Sequence, residues 1–419
     1  MKAGIITMHK VPNHGSHLQA YALQRAFEMM GVEAEIIDYK YPNEFHLSRQ
    51  KEYKESVPLK RKILKAMGLP YIIFIKAISL KQKSLFRKFE KTYFKLSEAY
   101  NSPNELRATK LHYDLYVTGS DQVWNPRFAV GDSIFMCDFG NENVPRIAFG
   151  ASVAATTIPK CMIAIYAQNL KKYAAIGIRD KSSREVLEDL SEKKIDVVCD
   201  PVFLVDKKEW LEIAEKSKLR LPKKYILVYV LTYSFNPYPE VLKIVYAVKE
   251  KYNVPIVFVN SSLRLALVVK PQNNLFVIST EDFLNLLADA TFIITTSFHA
   301  TAFSLIFGRQ FISLVGDDAQ KDSRIADLLG SVDASSACCG KGKISEFEIT
   351  HIDYSLVKLK LDSYVQKSKE FLYDSVNSSR ESLKKIGRGG YKKYFVLRKP
   401  HSETSCANDE LILASRSAA

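Results

Sequence analysis

A short apolar run over residues 113–118 is followed at once by a polar segment, Gly-Ser-Asp-Gln-Val-Trp-Asn-Pro, at residues 119–126. The run has the character of a buried strand, and Gly119 and Ser120 free the backbone where that strand ends. In an open α/β sheet, ligands bind beyond the carboxyl ends of the strands, so polar groups gathered there indicate a binding site. The alternative is a turn closed by an Asx cap, with Trp124 filling a local core.

The chain alternates strand-like and helix-like segments from its first residues onward. Residues 2–8 have a strand pattern, and apolar residues at helical spacing predict a helix over 17–30. Ser16 is expected to cap this helix and Gly31 to end it. Residues 33–39 then return as a second strand.

The alternation continues beyond this unit in two halves. Further strands are predicted at 145–152, 174–180, 195–201, 225–231, 255–260, 274–279, 291–295 and 310–315. Helices are predicted at 159–173, 182–190, 239–251, 280–288, 320–330 and 351–386, with one more ending at Phe307. A hinge is expected after Pro201. Two successive βα halves predict an α/β protein with two Rossmann-like, doubly wound domains that face each other across a cleft.

The predicted N-terminal domain covers residues 1–204 and contains a basic helical insertion at about 42–100. The C-terminal domain covers 205–345. Helices at 346–386 follow and can pack back on the N-terminal domain. The tail, 387–419, turns basic and then rich in Ser and Ala, so it is expected to fray.

The net charge of +14 is concentrated in one segment. Residues 51–95 hold 13 Lys and Arg against three Glu, together with an apolar stretch at 69–75. Such a segment can lie on an anionic membrane surface, where each cation contributes about 1 kcal/mol. The alternative is a solvated helical insertion whose Lys stems cover a core. Nucleic acid is not an expected partner, because no recognised binding module accompanies the charge.

The cysteines and the apolar pattern indicate a cytoplasmic protein. The six Cys show no CxxC motif and no metal-ligand spacing with His, which favours reduced thiols and predicts neither a metal site nor a cofactor. No apolar run approaches the roughly 18 residues of a spanning helix. A strand, rather than a signal peptide, follows Met1. Attachment to the inner face of the membrane would be peripheral.

Four motifs together resemble those of the polysaccharide pyruvyl transferase family. They are the segment 13–24 (Asn-His-Gly-Ser-His-Leu-Gln-Ala-Tyr-Ala-Leu-Gln), the segment 119–126, Arg179-Asp180 followed by Ser182-Ser183, and Ser297-Phe298-His299-Ala300 before Gly308-Arg309-Gln310-Phe311. The resemblance spans about residues 1–330, in the expected order. It implies a GT-B-like pair of domains that transfers pyruvate from phosphoenolpyruvate to two hydroxyls of a sugar, forming a cyclic ketal. The acceptor would be a bacterial surface polysaccharide or its polyprenyl-linked precursor.

One position departs from the family pattern. Ser297 stands where many members carry Arg, so the anion contact made there in relatives must come from elsewhere, with Arg179, Arg309 and Arg324 as the candidates. Ketal formation needs a general acid for the enol carbon, cations for the donor and a base for the hydroxyls. His299 is predicted as the acid or a phosphate ligand, Arg179 as an anion contact and Asp121 as the base.

The remaining candidate residues fall into two sets. The donor set comprises Ser16, Arg179, Ser183, Ser297, His299, Arg309 and Arg324. The acceptor set comprises Asn13, His14, Gln19, Ser120, Gln122, Trp124 and Asn125, with Trp124 offering a flat face to the sugar ring. The alternatives are that His299 caps its helix, that Arg179 pairs with Asp180 or a neighbouring helix, and that His14 serves the loop structure.

Two other functions compete with pyruvyl transfer. The first is a glycosyltransferase that uses a nucleotide sugar, but such enzymes usually hold the ribose with an acidic residue, and residues 296–310 contain no Asp or Glu. The second is a non-catalytic sugar-binding or scaffold protein on the same fold. Replacing His299 separates the second from an enzyme, since a scaffold would keep its function.

Overall fold

A computed structural model describes residues 1–47, 69–232, 235–259, 271–316 and 323–388 of the chain. Each half of the chain forms one parallel β-sheet. The first sheet has the strand order β3-β2-β1-β4-β5-β6-β7. Its strands are β1 (Lys2–Ile6), β2 (Glu33–Tyr39), β3 (Leu96–Tyr100), β4 (Leu115–Thr118), β5 (Arg146–Ala151), β6 (Ala175–Ile178) and β7 (Ile195–Val197).

The second sheet repeats this arrangement with the order β10-β9-β8-β11-β12-β13. Its strands are β8 (Ile226–Tyr229), β9 (Ile256–Val259), β10 (Asn273–Leu275), β11 (Phe292–Thr295), β12 (Gln310–Val315) and β13 (Cys338–Gly340). Both sheets therefore have the Rossmann order: the second and third strands are added on one side of the first strand, and the later strands on its other side. The predicted pair of Rossmann-like, GT-B-like domains is confirmed.

Helices connect the strands, as parallel pairing requires. In the first half they are α1 (His14–Met29), α2 (Leu69–Tyr93), α3 (Pro103–Ala108), α4 (Pro126–Ala129), α5 (Lys160–Leu170) and α6 (Lys181–Leu187). In the second half they are α7 (Lys207–Ala214), α8 (Val241–Tyr252), α9 (Thr280–Ala288), α10 (Phe298–Phe307), α11 (Ser323–Ser331) and α12 (Tyr354–Arg388). The central strands β4 and β11 are buried along their whole length, since helices cover both faces of each sheet.

The first helix begins three residues earlier than its apolar spacing predicts. Its N-cap is Asn13, whose side chain accepts a hydrogen bond from the backbone N–H of Gly15 at 2.8 Å. The prediction that Ser16 caps this helix is therefore wrong, because Ser16 lies inside the first turn. The shift matters for function, since it frees the Ser16 hydroxyl for another contact.

The predicted insertion also ends earlier than expected. Residues 96–100 form β3, which pairs with β2 as the edge strand of the first sheet. The part of the insertion before α2, residues 48–68, lies outside the described residues. The tail from residue 389 onward is also outside the described ranges.

The last helix, α12, returns from the second half to the first sheet. Tyr364 donates a hydrogen bond from its hydroxyl to the carbonyl of Val198 at 2.8 Å, and the Ser368 hydroxyl accepts one from the backbone N–H of Cys199 at 2.8 Å. The ring of Phe371 lies so close to Gly177 that a side-chain Cβ there would come within 2.7 Å of it. This helix therefore ties the two halves together.

Candidate functional site

Three charged side chains from different strand ends meet at the carboxyl edge of the first sheet. Arg179, directly after β6, places one guanidinium nitrogen 2.8 Å from Asp200 Oδ2 and the other 3.3 Å from Asp121 Oδ1. Ser120 donates a hydrogen bond to the same Asp200 oxygen at 2.8 Å. The side chains of Arg179 and Asp200 have no exposed surface, whereas Asp121 retains 14%. Asp121 is thus the member of this cluster that a ligand can reach.

The backbone at Asp121 explains how its carboxylate reaches Arg179. Its φ of +80° lies in the left-handed region, which non-glycine residues seldom adopt. The turn is held by hydrogen bonding of the Asp121 carbonyl to the N–H of Ser152 at 3.0 Å. Strain of this kind is common at functional sites, where the surrounding structure maintains it.

The second sheet brings His299 to the same cluster. His299 occupies the first turn of α10, behind the N-cap Ser297, whose hydroxyl accepts a hydrogen bond from the N–H of Ala300. The imidazole Nε2 lies 3.5 Å from Asp200 Oδ2, within ion-pair distance, and the His299 side chain is 9% exposed. The ring of Phe298 lies under the Arg179 guanidinium, 4.5 Å from its carbon. The carboxyl edges of the two sheets therefore face each other at this point.

Helix α1 completes the site through its first turn. Ser16 donates a hydrogen bond from its hydroxyl to Asp121 Oδ2 at 2.5 Å. Gly15 lies against His299, and a Cβ at this position would stand 2.0 Å from the imidazole Nδ1. Only glycine allows this approach of the two domains.

Replacing Gly15 by Ala is expected to displace the His299 imidazole and to lower turnover by on the order of a hundredfold, since an error of about 1 Å at a reacting group has that effect. Steady-state kinetics together with the melting temperature would measure it. Gly330→Ala is the matched control, because the nearest atom to a Cβ there is Ser335 Oγ at 3.9 Å. Equal turnover in both variants would contradict the assignment of this contact.

The charges of the cluster hold one another ionised despite their burial. Burial alone raises the pKa of Asp200, but the charge and hydrogen bond of His299 and the charge of Arg179 outweigh it and hold this pKa well below its usual range. For Asp121, burial is likewise outweighed by the charges of Arg179 and His299, which lower its pKa. Burial lowers the pKa of Arg179, but the carboxylates of Asp121 and Asp200 raise it by more, so the guanidinium stays a cation.

The predicted donor residues divide between this cluster and other places. Arg324, on α11, is buried, and its charge is the smallest of those that lower the pKa of Asp121. Ser183 lies on α6, three residues after Asp180, where its hydroxyl donates to Asp180 and accepts from the N–H of Val153 at 2.8 Å. Ser183 therefore holds two loops together.

Arg309 is not part of the site. It precedes β12 and so lies at the amino edge of the second sheet, whereas His299 follows β11 at the carboxyl edge. Arg309 lines a separate cavity of about 460 Å³ with Asn285 and Asp289. Its predicted role in donor binding is wrong, because parallel strands place residues before and after a strand at opposite edges.

The prediction that Arg179 itself binds the donor anion also needs correction. Both terminal nitrogens of its guanidinium are directed at carboxylates, and its side chain has no exposed surface. Arg179 thus positions Asp121 and Asp200 rather than presenting a charge to a ligand. Pairing with its sequence neighbour Asp180, the other interpretation, is not the contact that the structure shows.

Trp124 and Gln19, two of the predicted acceptor residues, are buried in the interior. Trp124 is 1% exposed, donates from Nε1 to the carbonyl of Phe135 at 3.0 Å and packs in the core, so it offers no face to a sugar ring. Gln19 has no exposure, and its amide donates to Thr7 and to the carbonyl of Ser16. Trp124 and Gln19 shape the strand-end loops instead of contacting an acceptor.

His14 lies between the two domains. Its Nδ1 is 3.3 Å from Thr280 Oγ1, and its ring stacks on Phe283 with centroids 5.0 Å apart. Burial, followed by the charge of His17, lowers the pKa of His14 to about 3, so the ring is neutral at physiological pH. His14 therefore joins the domains, and the predicted contact with the acceptor is wrong.

The other acceptor candidates surround Asp121. Gln122 is half-buried and accepts a hydrogen bond from the Asn125 amide at 2.9 Å. Asn125 is buried and caps α4, Ser120 is fully buried against Asp200, and Asn13 caps α1. Gln122 and Asn13 are the members of this set that retain partial exposure next to the cluster.

Asp200 is the central residue that the sequence did not reveal. It contacts Arg179, Ser120 and His299, yet in the sequence it only ends a strand before a proline. The signal that identifies it is its position, since it follows β7 at the same edge as Asp121 and Arg179.

The sequence model of the polysaccharide pyruvyl transferase family matches residues 13–318, which include every member of the cluster described above. The chain belongs to the polysaccharide pyruvyl transferase family. This membership supports a transferase that acts in polysaccharide pyruvylation in general. No curated protein matches the chain.

Several solved structures are similar to the chain at low identity. The UDP-GlcNAc 2-epimerase from Methanocaldococcus jannaschii is 14% identical, with 88% of this chain and 94% of that chain covered and a TM-score of 0.43. The E. coli heptosyltransferase WaaC with ADP is 13% identical, with 87% and 100% covered and a TM-score of 0.37. The S. aureus MnaA structure with UDP is 12% identical, with 88% and 90% covered and a TM-score of 0.44. The fold assignment itself rests on the strand order of the two sheets.

Proposed function

We propose that the protein transfers a pyruvyl group from phosphoenolpyruvate to two hydroxyls of a sugar, forming a cyclic ketal. The sugar belongs to a bacterial surface polysaccharide or its lipid-linked precursor. The observation that supports this proposal is that the His299 imidazole and the Asp121 carboxylate flank the same buried pair, Arg179 and Asp200, where the two domains face each other. These two side chains retain 9% and 14% exposure, while Arg179 and Asp200 behind them have none.

Each exposed group suits one proton transfer of this reaction. The first sugar hydroxyl adds to the enol carbon that bears the phosphate: Asp121 accepts the proton of this hydroxyl, and His299 donates a proton to the terminal methylene carbon. The second hydroxyl then displaces phosphate from the same carbon and returns a proton to His299, while the proton held by Asp121 leaves with the phosphate. Asp200, whose Oδ2 lies 3.5 Å from Nε2, holds the imidazole in place.

Arg324 is the cation that we assign to the donor. Ser297 occupies the position where many family members carry Arg, and it is engaged as the cap of α10. Arg179 is neutralised by two carboxylates, so a further positive charge is needed to attract a phosphorylated acid. Arg324 is buried in the facing domain, and its charge acts on Asp121.

Thermal denaturation with ligands tests the donor. Phosphoenolpyruvate at 100 times its Kd is expected to stabilise the protein by about 2.7 kcal/mol. Arg324→Met should abolish this shift, while Arg309→Met, which changes the same residue type at the opposite edge of the sheet, should keep it. Stabilisation by UDP- or GDP-sugars in place of phosphoenolpyruvate would overturn the donor assignment and favour a glycosyltransferase.

A further inference from the structure

The outward face of α2 combines cations with large apolar side chains. Ile73 and Leu80 are 58% and 68% exposed, and their spacing of seven residues places both on one stripe of the helix. Exposed Lys and Arg side chains flank this stripe on both sides. They are Lys76, Lys81, Lys83, Arg87, Lys88 and Lys91. Between Ile73 and Lys91, the acidic residue is Glu90, which is buried on the opposite face.

The inward face of α2 is fixed to both domains. Gln82 exchanges hydrogen bonds with the backbone of Ile278, at 2.8 and 3.2 Å. The ring of Phe86 stacks on His17, with centroids 4.6 Å apart, and Glu90 Oε1 lies 3.1 Å from His17 Nε2. The cationic face is therefore presented by a well-anchored helix rather than by a loose extension.

We propose that this face of α2 docks on an anionic phospholipid bilayer. The cations would lie at the level of the headgroups, and Ile73 and Leu80 would enter the boundary with the acyl chains. Docking would be peripheral, because no helix within the described ranges is long and apolar enough to cross a membrane.

The apolar stripe decides in favour of a bilayer over a soluble polyanion. A charged polymer in water would contact only the cations and would leave Ile73 and Leu80 exposed. A bilayer satisfies both, since burying an exposed leucine side chain is favourable and headgroups attract the flanking charges. Phe86, one turn beyond Gln82 on the inner face, also contacts His14, with ring centroids 4.9 Å apart. Docking would thus bring the first turn of α1 near the membrane, which suits a lipid-linked acceptor if the proposed function holds.

Vesicle co-sedimentation with the full chain tests the proposal independently of enzymatic activity. Vesicles of phosphatidylglycerol and phosphatidylcholine are expected to retain the protein, and vesicles of phosphatidylcholine alone are not. Each cation contributes about a fivefold factor, so Lys76→Gln, Lys83→Gln and Arg87→Gln together should weaken binding by on the order of a hundredfold. Leu80→Ser alone should weaken it by roughly tenfold or more.

Matched variants on α12 serve as controls. Leu359 is 70% exposed on a helix, like Leu80, and Lys358, Lys360 and Lys369 are exposed there as well. Leu359→Ser and the triple Lys-to-Gln variant on α12 should bind vesicles like the wild type. The melting temperature of every variant is measured as well, and only variants that melt like the wild type are compared. Equal losses on α2 and α12 would overturn the proposal. So would a Leu80→Ser variant with undiminished vesicle binding, since the face would then recognise negative charge alone, as for an anionic polysaccharide.

Discussion

Replacing His299 by Ala is expected to lower turnover by roughly 10²–10⁴-fold, because the proton delivered to the enol carbon loses its donor. The expected reduction lies in kcat, since the phosphate contacts of the donor come from other groups. Turnover is measured as the release of inorganic phosphate from phosphoenolpyruvate in the presence of a panel of acceptor glycans. The stabilisation by phosphoenolpyruvate should persist in this variant.

The control for this experiment is His112→Ala. His112 is an exposed histidine that precedes β4 and so lies at the amino edge of the first sheet, opposite the edge that carries the cluster, and its loss should leave turnover unchanged. A His299→Ala variant with wild-type turnover would remove the imidazole from the mechanism and would favour a sugar-binding protein. Loss of the phosphoenolpyruvate shift together with turnover would instead make His299 a donor ligand.

Replacing Arg179 by Met is expected to destabilise the protein by about 3–5 kcal/mol at neutral pH, since it leaves buried carboxylates without their counter-charge. Asp200 has no exposed side-chain surface, so water cannot replace the guanidinium there, and Asp121 retains only 14%. The free energy of unfolding from urea titrations measures the effect. Turnover should fall as well, because Asp121 loses the contact that orients it.

The pH dependence of this loss follows from the depressed pKa values of Asp121 and Asp200. A carboxyl with a lowered folded-state pKa stabilises the protein above its unfolded pKa of about 3.9, and this contribution is lost as the pH falls through the folded-state value. Without Arg179 both pKa values should rise. The difference in stability between wild type and Arg179→Met should therefore be largest at neutral pH and shrink as the pH is lowered toward 4.

A surface arginine provides the comparison. Arg25 pairs with Glu209 at 3.0 Å, but its side chain is 38% exposed, so Arg25→Met should cost about 0–1 kcal/mol with little pH dependence. A similar small loss at Arg179 would show that water or a shifted side chain compensates Asp121 and Asp200. The central role of this arginine in holding the cluster would then be wrong.

The motif after β4, residues 119–126, shows which features of the site a local sequence pattern can predict and which it cannot. Its position at a strand end correctly predicted polar groups at the carboxyl edge, and Asp121 is there. The same pattern assigned Trp124 to the acceptor, but Trp124 points into the core, where its indole N–H finds the Phe135 carbonyl. A residue's place in a motif does not determine which way its side chain points, because that depends on the packing of segments distant in sequence.

The sequence by itself determined the two Rossmann-like domains and the family. Strand and helix periodicity is a local property, and residues 13–318 carry the motifs in order. It also singled out His299, Arg179 and Asp121. The tertiary structure alone decided what these residues contact. Asp200 became central, and Arg309 was excluded, because the direction of parallel strands and the facing of two sheets set which strand ends meet, and neither is encoded in any short segment.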